Sequence, residues 1–207
     1  MELLAWADEK EGRYLIEDDY DSEFRYKGKP IPALKGYDAS EKVIYLGTFS
    51  KSIAPAIRMS YMVLPESLMK VYQAACRFIN PTVSRVDQMI LQKFIEDGHY
   101  ERHLNRMRAL YKGRHDTFLN CLKPFAGKCR ISGEQAGVHL LLTFENGRSE
   151  EELIRLAREE KVAVYGLSSY DTQGTRKNQA SVLLGYANME EDQIKEAVEI
   201  LKKAWLS

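Results

Sequence analysis

The sequence predicts an α/β protein, with a large part built on a mainly parallel sheet and a small C-terminal α/β subdomain. Short apolar runs alternate with stretches whose apolar residues recur at steps of three and four. The composition, 44% hydrophobic with 6 prolines in 207 residues, is typical of a folded globular protein. After Lys123 and Pro124 the predicted elements become shorter, which indicates a second, smaller part.

The first part begins with strands and then becomes helical. Residues 2–10 have an amphipathic helical pattern that Gly12 ends. Apolar runs predict buried strands at 13–16, 43–46 and 59–64. Residues 66–122 predict three helices, which Asn80-Pro81 and Asp97-Gly98 separate from one another.

The second part alternates strands and helices over short distances. Strands are expected at 138–144, 162–164 and 181–186, and helices at 149–160 and 190–206. The sequence therefore predicts a large-domain segment at 1–98, a connecting long helix at 99–123 and a small subdomain at 124–207.

Charge and hydropathy exclude several classes of partner. The 30 basic residues balance the 30 acidic ones, so no basic excess favours binding to nucleic-acid phosphates. No apolar run approaches the roughly 18–20 residues that a membrane span needs, and no basic leader precedes the first helix. We therefore expect a cytoplasmic protein without membrane contact, which reaches DNA only through a module outside this chain.

No metal site is expected. His99 and His103 stand four residues apart in a predicted helix, but no acidic or cysteine partner has a supporting spacing. The three cysteines contain no CxxC pair, which favours reduced thiols over a zinc site. The acidic run 17–21 lacks EF-hand spacing and a nearby histidine, which weakens its interpretation as a metal loop.

Lys51 is the first candidate for chemistry. It follows an apolar strand in a loop that also contains the hydroxyl residues Thr48 and Ser50. Ligands of α/β proteins bind at the carboxyl ends of the strands, where a lysine amine can attack a carbonyl group. Taken alone, the position is also that of an ordinary exposed loop lysine.

Three further residues could serve the same ligand. Arg58, together with the hydroxyl groups of the preceding loop, would make a phosphate site, although a surface arginine at a strand entrance is the alternative. Asp18 follows a buried strand, where a carboxylate commonly holds a cation or a protonated ring nitrogen. Tyr20 lies on the same side of an extended chain as Asp18. A solvated acidic turn is the alternative for both.

Four segments together carry a resemblance to a known family. They are 16–26 (IEDDYDSEFRY), 30–34 (PIPAL), 45–51 (YLGTFSK) and 98–108 (GHYERHLNRMR). The chain resembles the fold type I pyridoxal-phosphate enzymes and, more narrowly, the aminotransferase-like domain of the MocR/GabR branch of GntR transcription regulators. The resemblance extends over essentially all 207 residues, and it implies part of a PLP-dependent transferase fold.

The resemblance also implies a role for each candidate residue. Lys51 matches the lysine that forms the internal aldimine with pyridoxal 5'-phosphate. Asp18 matches the carboxylate that keeps the pyridine nitrogen protonated, so that the ring accepts electrons. Tyr20 matches the tyrosine beside the phenolic oxygen of the cofactor. The residues that match the phosphate cup are Thr48, Ser50 and Arg58.

Two departures separate this chain from an ordinary aminotransferase. The arginine that binds a substrate carboxylate often stands two residues before the glycine of a late strand, and Leu183 occupies that place here. Arg176 is a candidate substitute, with an ordinary loop arginine as the alternative. The spacing of two residues from Asp18 to Tyr20, where many aminotransferases have three, favours the regulator branch.

The resemblance implies parts that this sequence does not contain. The family's domain has a preceding half with a backbone phosphate loop and a stacking aromatic ring, and full regulators carry an N-terminal winged helix. We therefore expect this sequence to be a C-terminal fragment. Fold type I proteins build their sites at dimer interfaces, so a homodimer is also implied.

Three functions remain open at this point. The chain could be an effector domain of a GntR/MocR-type regulator that senses a small amino compound through aldimine exchange on Lys51. It could be a class I/II aminotransferase that transfers an amino group between an amino acid and a 2-oxo acid. It could also be a truncated fragment that is unable to hold the cofactor.

Overall fold

A computed structural model describes residues 1–171 and 180–206. The chain divides into two compact units. The first contains residues 1–23 and 29–107, and the second contains residues 24–28 and the chain from 108 onward. Each unit has its own sheet, so the two are described separately.

The first unit follows the order of elements that the apolar pattern predicts. Its elements are α1 (Glu2–Asp8), β1 (Leu15–Asp19), β2 (Val43–Thr48), α2 (Phe49–Ser52), β3 (Ser60–Val63), α3 (Glu66–Cys76), α4 (Arg85–Glu96) and the first turns of α5 (His99–Cys121). Ser84 caps α4 because its hydroxyl oxygen accepts the N–H groups of Val86 and Asp87. The strands and helices confirm the α/β class.

The sheet of the first unit is mixed, where the sequence predicted a mainly parallel one. Its strand order is β1-β2-β3, with β1 and β2 parallel and β2 and β3 antiparallel. Residues 49–59 alone connect β2 to β3. A parallel crossover needs a dozen or more residues, so this short connection returns the chain antiparallel.

Two carboxylates anchor the long connection between β1 and β2. Glu17 accepts the N–H groups of Leu34 and Lys35 at 2.6 and 2.9 Å, at the start of a short 3-10 helix. The buried carboxylate of Asp38 accepts the N–H groups of Lys42 and Val43 at 2.9 and 2.8 Å. The Lys35 ammonium also donates to Asp38, at 3.0 Å. These bonds hold the entrance of β2 against β1.

The second unit has a four-stranded antiparallel sheet with the order β4-β5-β7-β6. Its elements after α5 are β4 (Cys129–Ser132), β5 (His139–Phe144), α6 (Glu150–Glu159), β6 (Tyr165–Gly166), β7 (Ala180–Gly185) and α7 (Glu191–Leu206). The core lies between this sheet and its helices. There the buried Trp205 ring packs edge-on against Phe144 at 5.4 Å, and its Nε1–H donates to the Leu153 carbonyl at 3.0 Å.

The strand predicted at 162–164 is wrong, because helix capping occupies this stretch. The N–H of Lys161 donates to the Arg158 carbonyl, and the N–H of Val162 donates to the Ala157 carbonyl, both at 2.9 Å. This pair of bonds is a Schellman cap, which turns the chain at Lys161 with a φ of 62°. The strand begins only at Tyr165.

The described residues contain neither a membrane-spanning helix nor a cluster of metal ligands. No helix within residues 1–171 and 180–206 is long and apolar enough to cross a membrane. Within the same residues, no group of three or more histidine, cysteine, aspartate or glutamate side chains is arranged to hold a metal ion.

The Asp38 anchor predicts a specific pH dependence of stability. Burial opposes ionisation of Asp38, but the N–H groups of Lys42 and Val43 and the Lys35 ammonium outweigh it and lower the Asp38 pKa below its ordinary value. A carboxyl group with a lowered pKa stabilises the folded state above the unfolded pKa of about 3.9, and this contribution is lost as the pH falls below that value.

We expect Asp38→Asn to lower the free energy of unfolding by about 1–3 kcal/mol at pH 7. Below about pH 4 the difference from the parent protein should shrink, because the parent carboxyl group is then increasingly protonated. Urea unfolding of both proteins at pH 7 and pH 3 measures this. An equal difference at both pH values would contradict the anchor.

Candidate cofactor-binding site

The predicted site residues lie at one edge of the three-stranded sheet. Because β1 and β2 run parallel, their carboxyl ends meet at this edge, and Asp18 stands opposite Leu46. β3 begins at the same edge, where Ser60 pairs with Thr48. The strand ends and adjoining segments carry all six predicted cofactor residues, namely Asp18, Tyr20, Thr48, Ser50, Lys51 and Arg58.

Asp18 lies on the open face of β1. Exposed and half-buried residues alternate along the strand, so Asp18 shares its face with Ile16, whereas Glu17 and Asp19 point to the other face. Asp18 and Thr48 line a cavity of about 590 Å³ together with residues of β2, β3 and α3, whereas the other four predicted cofactor residues do not line it. A carboxylate is therefore available to a ligand at the end of β1.

Tyr20 follows β1 directly and is close to acidic groups. The charge of Asp21, partial burial and the charge of Asp18, in that order, raise the pKa of the Tyr20 phenol. The phenol therefore stays protonated near neutral pH and can donate a hydrogen bond. Asp18 and Tyr20 are near enough to interact electrostatically, as their two-residue spacing predicts.

Thr48 ends β2 and caps the short helix α2. Its hydroxyl oxygen accepts the N–H of Ser50 at 3.1 Å, and its hydroxyl group donates to the Met59 carbonyl at 3.2 Å. The hydroxyl group of Thr48 is therefore bonded to two backbone groups. These bonds fix the start of α2, the helix that contains Lys51. The predicted contact of Thr48 with a phosphate group stays a prediction.

Three polar side chains at this edge are available to a ligand. In the described part of the chain, the side chains of Ser50, Lys51 and Arg58 have no hydrogen-bond or ion-pair partner, and Lys51 and Arg58 are exposed. Arg58 has a φ of 46°, in the left-handed region that non-glycine residues rarely adopt. Such backbone strain, of order 1–3 kcal/mol, is concentrated at ligand-binding sites.

An aromatic layer of Tyr45, Phe49 and Tyr61 adjoins this edge, and its Tyr61 also lines the cavity that Asp18 lines. The Tyr61 ring lies across Gly47 so closely that a Cβ atom at Gly47 would stand 2.3 Å from Tyr61 Cζ. Tyr61 also packs near Tyr45 and Phe49, with ring centroids at 6.1 and 5.3 Å. Because Gly47 has no side chain, the Tyr61 ring of β3 can lie directly against the backbone of β2.

Sequence reasoning missed Tyr45, which belongs to this layer, and Asp19, which is bonded to Tyr45. Asp19 accepts a hydrogen bond from the Tyr45 hydroxyl at 2.7 Å, across the two parallel strands. Because successive side chains of a strand point to opposite faces, the sequence could have indicated that Asp19 and Asp18 lie on different faces of the sheet. Tyr45 stands in an apolar run that gave no signal beyond a buried strand.

The candidate substrate-binding residue cannot be placed with this group. Arg176 lies outside the described residues. Leu183, which is expected from the sequence in the place of a carboxylate-binding arginine, stands in β7 of the second unit and pairs with Leu141 and Tyr165. Its side chain is half-buried in that sheet.

Comparison with protein-family models shows the family of this chain. The family described as aminotransferase class I and II matches residues 1–201. The chain belongs to this family. The aminotransferase fold is thereby confirmed, and pyridoxal phosphate is the cofactor that family membership supports.

Transcription regulators are among the relatives of this aminotransferase-family chain. It is 43% identical over 206 residues to the uncharacterized HTH-type transcriptional regulator YhdI of Bacillus subtilis, covering 99% of this chain and 43% of that protein. It is 33% identical over 205 residues to the probable rhizopine catabolism regulatory protein MocR of Rhizobium meliloti, covering 99% and 41%. The chain therefore spans about two fifths of the length of these relatives, and the predicted resemblance to the MocR branch is confirmed.

Solved aminotransferases have the same fold. The Pyrococcus horikoshii kynurenine aminotransferase, determined in complex with PMP, superposes with a TM-score of 0.88 at 27% identity. The superposition covers 99% of this chain and 50% of the aminotransferase.

The residues at the strand edge fit pyridoxal phosphate by their chemistry. The Lys51 amine suits the cofactor's aldehyde, and the Asp18 carboxylate suits a protonated ring nitrogen. Arg58 and the Ser50 hydroxyl are unpaired donors within the described residues, as a phosphate group requires. The Tyr20 phenol supplies a further donor.

The close contact at Gly47 predicts the effect of adding one methyl group there. Gly47→Ala should destabilise the first unit by about 1–3 kcal/mol, because the new Cβ would overlap the Tyr61 ring. Gly36→Ala is the matched control, since a Cβ at Gly36 meets nothing within 4 Å. Thermal unfolding followed by circular dichroism compares the two variants, and equal melting temperatures would contradict the assigned contact.

Proposed function

We propose that this chain is the cofactor-binding, aminotransferase-like effector domain of a MocR-type transcription regulator. In this proposal it binds pyridoxal phosphate at Lys51 and senses a small amino compound there. The observation that carries the proposal is a group of donors that have no partner among the described residues and lie with Asp18 and Tyr20 at one sheet edge. The chain that carries them is 43% identical to a transcription regulator.

Each residue of the group has a defined task in this proposal. When bound, pyridoxal phosphate supplies an aldehyde that links covalently to amines and a ring that withdraws electrons. Lys51 holds the aldehyde carbon, and Asp18 keeps the proton on the ring nitrogen. The Tyr20 hydroxyl donates a hydrogen bond to the cofactor, since the raised pKa of Tyr20 keeps the phenol protonated. Arg58 and Ser50 bind the phosphate oxygens.

The proposed recognition of an amino compound uses the same lysine. The Lys51 amine would hold the aldehyde carbon of the cofactor, and the amine of a small amino compound would take the place of Lys51 there. Lys51 is exposed and, within the described residues, lacks an acidic partner that would hold its ammonium group. Its exposure leaves Lys51 accessible to such a compound.

An aminotransferase is the second candidate. The similarity to a kynurenine aminotransferase at a TM-score of 0.88 favours it. Leu183 in place of a carboxylate-binding arginine favours the sensor, because an apolar side chain cannot pair with a substrate carboxylate. The identities of 43% and 33% to regulators point in the same direction.

Domain organisation, partners and location are also part of the proposal. Residues 1–98 carry the cofactor site, 99–123 form the connecting helix and 124–207 form the small subdomain. We propose a cytoplasmic homodimer that contacts DNA through a winged-helix module outside this sequence, as the HTH-type relatives support.

The first test is the identity of the lysine that takes the cofactor. After the chain is mixed with pyridoxal phosphate and reduced with borohydride, peptide mapping should find the label on Lys51. Lys51→Ala should lose the label and the absorbance of the bound cofactor, because the amine that takes the aldehyde is then removed.

Lys70→Ala is the matched control, because Lys70 is an exposed lysine of the same unit that pairs with Glu66. It should keep both signals. A label elsewhere than Lys51 would refute the assignment, and no label on the parent chain would show that this polypeptide does not hold the cofactor by itself.

The second test separates a sensor from an enzyme. With the cofactor bound, the sensor should show a single change in absorbance on addition of an amine, followed by little or no turnover when a 2-oxo acid is added. A panel of amino acids and amines with a coupled 2-oxo acid assay measures this. Rapid multiple turnover with any pair would reject the pure sensor and favour the aminotransferase.

A further inference from the structure

Asp19 has surroundings that differ from those of its neighbour Asp18. Its carboxylate accepts the Tyr45 hydroxyl at 2.7 Å, the Ser22 hydroxyl at 2.8 Å and the Ser22 N–H at 3.3 Å. The two bonds from Ser22 close the turn that contains Tyr20 and Asp21. Asp19 therefore fixes the direction in which the chain leaves β1.

Tyr45 holds Asp19 from the neighbouring strand. Burial and the hydrogen bond to Asp19 raise the pKa of the Tyr45 phenol, so it remains a hydrogen-bond donor throughout the physiological pH range. Tyr61 also lies beside Tyr45 and contributes to this shift. A bond between a neutral phenol and a carboxylate is charge-assisted and is among the stronger hydrogen bonds in proteins.

The same contacts continue to the helix that carries Lys51. Tyr61 packs against Tyr45 on one side and, with ring centroids 5.3 Å apart, against Phe49 on the other. Phe49 is the first residue of α2 and packs edge-on against Tyr100, with ring centroids at 5.9 Å. The Tyr100 hydroxyl in turn donates to Ser52 Oγ at 3.1 Å. The chain of contacts thus joins the end of β1 to α2 beneath the site.

We propose that Asp19, held by Tyr45, is a positioning residue that orients Asp18 and Tyr20 relative to Lys51. This inference rests on the proposed function, since it assigns the Asp19–Tyr45 pair to cofactor binding. The pair lies on the face of the sheet away from the cavity that Asp18 lines. Neither Asp19 nor Tyr45 lines that cavity, so the pair acts through the turn between residues 19 and 22 and through the aromatic layer, whose Tyr61 does line it.

Tyr45→Phe tests the pair because it removes one hydroxyl group and keeps the ring. We expect the affinity for pyridoxal phosphate to fall about tenfold, as loss of one charge-assisted hydrogen bond predicts. At saturating cofactor the borohydride label should still reach Lys51, because the lysine itself is intact. The pH midpoint of the bound cofactor's absorbance should shift, since Asp18 and Tyr20 set the electronic state of the ring.

Asp19→Asn and the double variant complete the test. If the two residues act as one unit, the double variant should lose little more affinity than either single variant. Tyr37→Phe, at an exposed tyrosine of the same unit, is the control and should leave affinity and pH midpoint unchanged. Circular dichroism melts establish that every variant is folded.

Amide hydrogen exchange of the protein without cofactor gives a separate measurement. Tyr45→Phe should speed the exchange of amides between residues 19 and 22, where the Ser22 N–H is bonded to Asp19. Unchanged exchange, or unchanged affinity and pH midpoint in a parent protein that labels at Lys51, overturns the inference alone. A parent protein that takes no label at Lys51 overturns the proposed function together with the role given to the pair.

Discussion

The parallel pairing of β1 with β2 is the constraint on which the candidate site depends. It sets Asp18 opposite Leu46 and brings the ends of both strands to one edge. Because side chains alternate between the faces of a strand, a slip of one residue would exchange the faces of Asp18 and Asp19. Asp19 would then face the cavity that Asp18 now lines, and Tyr45 would lose its hydrogen-bond partner. Register is therefore as important to this site as residue identity.

Three neighbouring carboxylates at the end of β1, those of Glu17, Asp18 and Asp19, have different surroundings because of this register. Glu17 accepts two backbone N–H groups of the connection to β2, and Asp19 accepts the Tyr45 hydroxyl. Asp18, between them, faces the cavity. The two flanking carboxylates hold the backbone, which leaves the central one free for a ligand. A solvated acidic turn would not require this division.

The placement of the candidate residues at strand ends could be predicted from the sequence, because the apolar pattern reveals the strands that they end or follow. Lys51, Thr48 and Asp18 are recognisable at strand ends from the order of residues alone. The return of β3 antiparallel to β2 depends on connection length, which an apolar pattern does not weigh. The role of Tyr45 has no such signal. Its partner Asp19 is far from it in sequence, and only the pairing of the strands brings them together.

The two units stabilise their structures in different ways, and this bears on the site. The second unit encloses a core around Trp205, Phe144 and Leu153. In the first unit, α3 and α4 are amphipathic, yet the described structure buries none of their residues, and β3 is exposed along its length. Less apolar burial means less stabilisation from the hydrophobic effect. Hydrogen bonds to the carboxylates of Glu17, Asp19 and Asp38 therefore carry a larger share of the order at the strand edge, and the geometry offered to a cofactor depends on these bonds.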